Sequence, residues 1–246
     1  MIYDSVVEAF KLLISFDSEI YSIIFLSLTI SILATLTASI IGTFLGILIS
    51  ISEFKLKRFT KKIVFTFMGI PPVVLGLVVL LFLTGPFDDL NLLFTKTAMY
   101  IAQTLLVLPI IIGNIIITSE KTQKKVLETA TTLGASKIDK IFLLIIETKP
   151  FIFMSIILGF SRALSEVGAV MLVGGNIRGD TRVMTTFIAL NNSMGEYSMS
   201  IAMGIILLSI AFLLHTLLAR FRGDFYDWDK RLKSKNEIIR IHFWRL

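Results

Sequence analysis

Long uncharged stretches constrain this chain more than any other feature of its sequence. Several of them run for about 20 residues or more, the length that an α-helix needs to cross a hydrocarbon core of roughly 30 Å. Charged residues make up 17% of the chain and hydrophobic residues 55%, whereas about a quarter of the residues in a soluble domain are charged. The sequence therefore predicts an all-α integral membrane protein.

We predict about five transmembrane helices and one helix on the membrane surface. The interfacial helix is expected at 5–16, where apolar side chains share one helical face. The first span is longer than one crossing requires. Pro71 and Pro72 predict an interruption of the second span, and Pro109 predicts a kink in the third. The spans are predicted at 20–52, 63–84, 97–118, 151–173 and 197–219.

The distribution of basic residues predicts the orientation of the chain in the membrane. Nineteen of the 24 Lys and Arg residues lie in 53–62, in 119–150 and after Ala219. Because basic loops stay on the cytoplasmic side, we expect the N-terminus outside and the C-terminus inside the cell. This bias explains the net charge of +6 and predicts contact with membrane lipid rather than nucleic acid. The chain has no cysteine and two distant histidines, so we expect no metal site.

The 119–150 segment is polar and basic, unlike the spans on either side of it. It is predicted to form a helix, a sharp corner and a second helix, with Gly134 in the left-handed conformation that ends a helix. Ser136 and Asp139 have the spacing of a capping box at the start of the second helix. An apolar face is predicted to continue beyond the corner, at Ile138, Ile141, Phe142 and Ile145. An ordinary solvated corner and a docking element both fit this pattern.

Two blocks of sequence resemble a known family. Glu128, Thr129 and Ala130, followed by Gly134, resemble the EAA loop of ABC-importer permeases, with Thr129 in place of the first alanine. The block FSRALSEVGAVMLVGGNIRGDTRVMTT at 160–186 resembles the segment after that loop in permeases for molybdate, tungstate and sulfate. Its SEVGAV, GGNI and TRVMTT elements are most similar to the tungstate type. The resemblance covers a permease domain at about 1–222 and leaves a basic cytoplasmic tail at 223–246.

The resemblance implies a non-enzymatic permease subunit in the cell membrane that moves a tetrahedral oxyanion. Tungstate is the first candidate, and molybdate and sulfate are alternatives. The implied partners are a second copy of the chain, two ATPase subunits that bind ATP and Mg, and an extracytoplasmic oxyanion-binding protein. No cofactor is implied in this subunit, and it lacks the G-x-x-x-x-G-K-[ST] loop of an ATPase. The residues implied in coupling to the ATPase are Glu128, Thr129, Ala130, Gly134, Ala135 and Ser136.

A self-sufficient carrier coupled to protons through Glu166 is the rival function. Many such carriers are built from two inverted, similar halves, and the sequence has no repeat of that kind. An ATP-driven importer is therefore favoured.

Arg162 and Glu166 are the two charged residues predicted inside a span. They are four positions apart, so on one helix they would form an ion pair. Two hypotheses follow: a structural pair, which the spacing favours, or a place on the anion route. Ser31 and Thr35 belong to a hydroxyl stripe on the first span that either lines this route or bonds to helix backbones.

Two further patterns predict contacts at helix surfaces and in loops. Gly42 and Gly46 form a GxxxG pair that permits close helix packing. The loop at 174–182 carries Asn176, Arg178 and Arg182 beside glycines, and is either a contact for the binding protein or a plain turn.

Overall fold

The computed structural model describes residues 17–216 except Leu133, together with positions 6, 7, 10, 11 and 14; the side chains of 121–125 and Lys137 are outside this description. All regular structure within these residues is helical. A short 3₁₀ turn, Asp88–Leu90, lies between the third and fourth α-helices. The α-helices are α1 (Ser18–Ile51), α2 (Lys57–Met68), α3 (Pro72–Thr84), α4 (Lys96–Thr132), α5 (Lys137–Leu164), α6 (Gly168–Gly174), α7 (Met184–Ser193) and α8 (Tyr197–Thr216).

The helices confirm the predicted all-α membrane fold. Four of them, α1, α4, α5 and α8, are long and apolar enough to cross a membrane. The pair formed by α2 and α3 meets the same criteria together but is bent by 104°. The described N-terminal positions are helical, with Phe10 and Ile14 exposed. The rest of the predicted interfacial helix and the tail at 223–246 lie outside the described residues.

The predicted fourth span, 151–173, is wrong at its C-terminal end. Helix α5 starts at Lys137 and ends at Leu164, and α6 is a separate short helix. The chain turns between them because the start of α6 packs closely on α3. An added Cβ on Gly168 would lie 2.5 Å from Val73 Cγ2, and one on Gly76 would lie 2.5 Å from Ala169 Cα. The end of α5 is also capped locally, where Ser165 Oγ donates to Ser161 O at 2.9 Å.

The core of the fold is a three-helix contact of α1, α4 and α5. Gly42 lies against Ile111 and Gly46 against Ile115, so α1 and α4 run parallel at close range. The predicted close helix contact at the GxxxG pair is therefore confirmed. On the same face of α4, Gly159 of α5 lies against Val107. Buried apolar side chains fill this contact: Ala38, Ile47, Val107, Ile111, Ile115, Leu144 and Ala163.

Replacing Gly46 with valine is expected to destabilise the packing of α1 against α4. A Cβ at Gly46 would lie 2.7 Å from Ile115 Cβ, and overpacking of this kind costs about 1–3 kcal/mol. The measurement is the thermal unfolding midpoint of the purified protein. Gly204→Val in α8 is the control, because an added Cβ there meets nothing within 4 Å. Equal midpoints for the two variants would contradict the packing described above.

Candidate functional site

A cleft of about 430 Å³ opens where the second span breaks between α2 and α3. The break follows from two prolines, because the residue before a proline avoids the helical conformation and proline itself has no N–H to donate. Pro71 accordingly has an extended backbone, with φ −62° and ψ 128°, and α3 begins at Pro72. The predicted interruption is confirmed. The cleft is lined by Met68, Gly69, Ile70, Ile110, Asn114, Leu158 and Arg162.

The end of α2 is held against the middle of α4. The side chain of Met68 lies directly against Gly113, and any Cβ at that glycine would clash with the Met68 sulfur. The last turn of α2 tightens, with Gly69 N donating to Thr66 O at 3.1 Å and Ile70 N to Phe67 O at 3.2 Å. Met68 thus brings the break between α2 and α3 next to Gly113, and Asn114 is the following residue of α4.

Arg162 and Asn114 supply the polar side chains of the cleft. Arg162 is half-buried in the last turn of α5, where the negative end of the helix dipole favours a cation. Within residues 17–216, no carboxylate lies within 4.0 Å of its guanidinium. Asn114 was not predicted as a site residue, although a single amide within the apolar run IIIGNIII is a signal of a specific contact. The cleft thus has one positive charge and one amide as its hydrogen-bond donors.

The predicted ion pair between Arg162 and Glu166 is wrong. The prediction required both residues on one helix, but α5 ends at Leu164 and Ser165 caps it. Glu166 therefore turns away from Arg162 and is 3% exposed inside the protein. Arg162 remains at the cleft without it.

Glu166 instead joins α6 and α7 to the end of α5. Its Oε1 accepts a hydrogen bond from Ala169 N at 2.9 Å, at the start of α6. Its backbone carbonyl accepts a hydrogen bond from Thr185 Oγ1 of α7 at 2.7 Å. Both contacts require an oxygen acceptor at Glu166, which a neutral side-chain amide also supplies.

Glu166→Gln is expected to retain most of the stability of the protein, whereas Glu166→Leu is expected to lose about 1–3 kcal/mol. Glutamine keeps an oxygen that accepts from Ala169 N, and leucine leaves that buried N–H unsatisfied. The two variants are compared by their thermal unfolding midpoints at the same detergent concentration. If both lost the same stability, the charge of Glu166 would matter and this description of the junction would be wrong.

Ser31 and Thr35 lie inside the protomer and do not line the cleft. They are 1% and 3% exposed, and neither borders the space around Arg162. Their neighbours in the hydroxyl stripe bond to their own helix, with Ser27 Oγ donating to Ile23 O at 2.7 Å and Ser39 Oγ to Thr35 O at 2.6 Å. Ser27 and Ser39 therefore bond to their own helix backbone, as one of the two hypotheses for the stripe predicted.

The corner between α4 and α5 has the predicted geometry. Gly134 has φ +73°. Gly134 N donates to Thr131 O at 3.0 Å and Ala135 N to Ala130 O at 2.9 Å, the two hydrogen bonds of a Schellman motif. Ser136 and Asp139 form the predicted capping box. The helices on both sides are continuous with membrane spans, so the corner is attached rigidly to them.

The surface of this corner is partly polar and partly apolar. Glu128, Thr129 and Ser136 are exposed, whereas Ala130 is buried against the core. The apolar face predicted beyond the corner divides in two. Ile141 and Ile145 pack on the α1–α4–α5 core, while Ile138 and Phe142 are 67% and 62% exposed. These two side chains form an exposed apolar surface next to the corner.

At the other end of the molecule, the predicted contact residues lie in one tight loop. Arg178 Nε donates to Glu19 Oε1 of α1 at 2.8 Å, and Arg182 Nη1 lies 3.7 Å from the same oxygen. Arg182 Nη2 also donates to Asn176 O at 3.4 Å. The hydrogen bond with Glu19 raises the pKa of the Arg178 guanidinium. The Arg178 side chain nevertheless remains 74% exposed.

The ion pairs of this loop were missed by the sequence analysis. Glu19 is 159 positions away from Arg178 in the chain, and Lys96 of α4 pairs with Asp180 at 3.1 Å. The loop is thereby fixed to the first turns of both α1 and α4.

Residues 39–223 match the family model of the binding-protein-dependent transport system inner membrane component. The chain belongs to this family. The matched range contains the Arg162 cleft, the Gly134 corner and the Arg178 loop. The chain is thus a multi-pass protein of the cell membrane.

Individual relatives of this inner membrane component are also similar over most of their length. The chain is 47% identical over 212 residues to the tungstate uptake system permease protein of Peptoclostridium acidaminophilum, covering 85% of this chain and 93% of the relative. It is 34% identical over 216 residues to the tungstate uptake system permease protein of Campylobacter jejuni, covering 87% and 90%. An inward-facing structure of the MetNI methionine ABC transporter has the same fold, with a TM-score of 0.67 at 16% identity, covering 80% of this chain and 92% of that chain.

In this inner membrane component, two continuous helices connect the corner to the cleft. Helix α4 carries Glu128 and Asn114, and α5, which Ser136 caps, carries Arg162. Gln103 Nε2 of α4 donates to Ala163 O of α5 at 3.1 Å, next to Arg162. The corner is therefore joined to both polar side chains of the cleft, through α4 and through α5, which contains Pro150.

Proposed function

We propose that the chain is the membrane-spanning permease subunit of an ATP-driven importer for a tetrahedral oxyanion, with tungstate as the first candidate and molybdate or sulfate as alternatives. The observation that carries this proposal is the cleft at the broken span, where Arg162 has no acidic partner among the described residues. The similarity to two tungstate permeases supports the choice of anion. The basic residues at 53–62 and 119–150 support an orientation with the Gly134 corner in the cytoplasm.

The cleft requires a second copy of the chain to complete it. Its lining includes Leu158, which is 50% exposed on the protomer. A charged side chain at membrane depth is costly when it faces lipid. A homodimer that closes over Arg162 removes that cost and encloses a route between the two protomers.

Arg162 and Asn114 would replace part of the water that a tetrahedral oxyanion loses on entering the membrane. The guanidinium supplies charge-assisted N–H donors that suit an oxyanion, and the amide of Asn114 supplies neutral donors. One cation in each protomer attracts the anion less strongly than a cluster of cations would. The site therefore binds the anion weakly enough to release it again.

ATP hydrolysis is assigned to two separate ATPase subunits, which bind ATP and Mg, and no catalytic residue is assigned to this chain. The corner would dock on the ATPase through Glu128, Thr129 and Ser136, with Ile138 and Phe142 as its apolar part. Ala130, Gly134 and Ala135 hold the shape of the corner. Helices α4 and α5 then transmit the motion of the ATPase to the cleft.

The loop at the opposite end would contact the oxyanion-binding protein on the extracytoplasmic side. Arg178 is exposed and charged, and Glu19 fixes its position. Arg182 and Asn176 are less exposed and support the loop from within. An acidic surface on the binding protein is the complementary partner.

Two measurements distinguish this proposal from a proton-coupled carrier. The first is co-purification with an ATPase, and the second is the dependence of uptake on ATP or on the proton gradient. The expected result is a stable complex with the ATPase, and uptake that requires ATP and continues in the presence of a protonophore. A carrier that uses Glu166 would transport without the ATPase and stop when the proton gradient collapses. That second outcome would contradict the proposed function.

A further inference from the structure

A second cleft, of about 510 Å³, lies at the start of α2, far from the Arg162 cleft. Its charged lining consists of four cations, Lys55, Lys57, Arg58 and Lys61, and two carboxylates, Glu53 and Glu120. The cleft therefore has an excess of positive charge. In the orientation proposed above, it faces the cytoplasmic surface of the membrane.

Both carboxylates are already engaged by lysines. Lys57 Nζ donates to Glu53 Oε1 at 2.9 Å and to Ser50 O at 2.8 Å, and Lys61 pairs with Glu120. The hydrogen bond from Lys57 holds the pKa of the Glu53 carboxyl below its usual value. In the part of the chain that the structure describes, Lys55 and Arg58 have no acidic partner. Two positive charges are thus left for an external anion.

The first turn of α2 also favours the binding of an anion. The helix has no side-chain cap and no acidic residue in its first turn. Lys57 and Arg58 occupy that turn instead, at the positive end of the helix dipole, where cations are unfavourable. An anion in the cleft would offset this repulsion.

The cleft adjoins apolar surface. Phe54 lines it and is 41% exposed, and α2 begins there and continues into the broken second span. The exposed apolar side chains Leu56, Phe59 and Ile63 lie on the face of α2 turned away from the cleft and from α4. An inorganic anion would neutralise the cations and leave Phe54 uncovered. A phospholipid would satisfy both, because its phosphate and its acyl chains are joined.

We propose that this cleft binds the phosphate headgroup of an anionic phospholipid, whose acyl chains lie against Phe54 and enter the membrane beside the second span. Helix α2 rests on α4 through Lys61 with Glu120 at one end and Met68 on Gly113 at the other. A bound lipid would hold α2 against α4, and α2 ends at the Arg162 cleft. The inference rests on the proposed orientation and adds a lipid site to the permease.

The test is native mass spectrometry of the permease–ATPase complex released from phosphatidylcholine nanodiscs with or without phosphatidylglycerol. Lys55→Gln/Arg58→Gln removes the two unpaired charges and leaves both lysine–carboxylate pairs intact. We expect this double variant to bind phosphatidylglycerol about 10- to 30-fold more weakly, since each basic residue near an anionic surface contributes about 1 kcal/mol. Lys62→Gln/Lys149→Gln is the control, because it removes two exposed cations that do not line the cleft.

Two outcomes would overturn the proposal. One is equal retention of phosphatidylglycerol by the two double variants. The other is specific binding of inorganic phosphate or tungstate to Lys55 and Arg58 in pure phosphatidylcholine, which would assign the cleft to a free anion. Lipid retention is measured without transport, so the two proposals can fail separately. Loss of lipid binding would not contradict the proposed tungstate function, and absence of tungstate uptake would not contradict the lipid site.

Discussion

Arg162→Leu is expected to lower tungstate uptake by about 10- to 100-fold, because a hydrogen bond to a charged group contributes about 1.5–3 kcal/mol. Assembly with the ATPase and thermal stability are expected to change little. The reason is that Arg162 lies in the cleft without an acidic partner among the described residues, so its removal leaves no buried carboxylate unpaired. The measurements are uptake by liposomes, ATPase activity and the unfolding midpoint of one preparation.

Two further variants make this prediction specific to the cleft. Arg162→Lys keeps the charge but loses the planar fork of donors, so we expect uptake between that of the wild type and that of Arg162→Leu. Lys149→Leu removes an exposed cation from the same helix and is expected to transport normally. Normal uptake by a stable Arg162→Leu complex would remove Arg162 from the anion route.

Gly134→Val is expected to weaken the coupling of ATP hydrolysis to transport by about 5- to 30-fold, since a left-handed residue with a Cβ costs about 1–2 kcal/mol. An added Cβ at Gly134 meets nothing within 4 Å. The effect is therefore backbone strain at φ +73° rather than a steric clash. Coupling is measured as anions transported for each ATP hydrolysed, and membrane insertion should be unchanged.

Gly134→Asn is the matched variant for the corner. Asparagine tolerates the left-handed conformation much better than valine does, so its coupling ratio should stay close to that of the wild type. If asparagine and valine uncoupled the complex equally, side-chain bulk at the ATPase interface would be responsible. Normal coupling in Gly134→Val would show that this corner is not the coupling element.

Local features of the fold were predictable from the sequence. The capping box of Ser136 and Asp139, the positive φ of Gly134 and the break at Pro71 and Pro72 each depend on residues within a few positions of one another. The close contact at Gly42 and Gly46 also follows a short spacing rule. Such features form because the backbone has few alternatives at these residues.

Features that depend on tertiary contacts were not predictable in this way. The end of α5 at Leu164 depends on the packing of Gly168 against Val73, and the ion pair predicted for Arg162 and Glu166 failed for that reason. The cleft brings Met68, Asn114 and Arg162 together from three helices. Periodicity within one segment carries no information on which helix will lie beside it.

The most direct test of the central claim is the uptake of labelled tungstate by liposomes that contain the permease, its ATPase and the binding protein. We expect uptake that requires ATP and all three components, is reduced by excess unlabelled tungstate or molybdate, and falls about 10- to 100-fold in Arg162→Leu. Uptake by the permease alone, or a complete complex that hydrolyses ATP but moves no tetrahedral oxyanion, would show that the chain is not the permease subunit of an ATP-driven oxyanion importer.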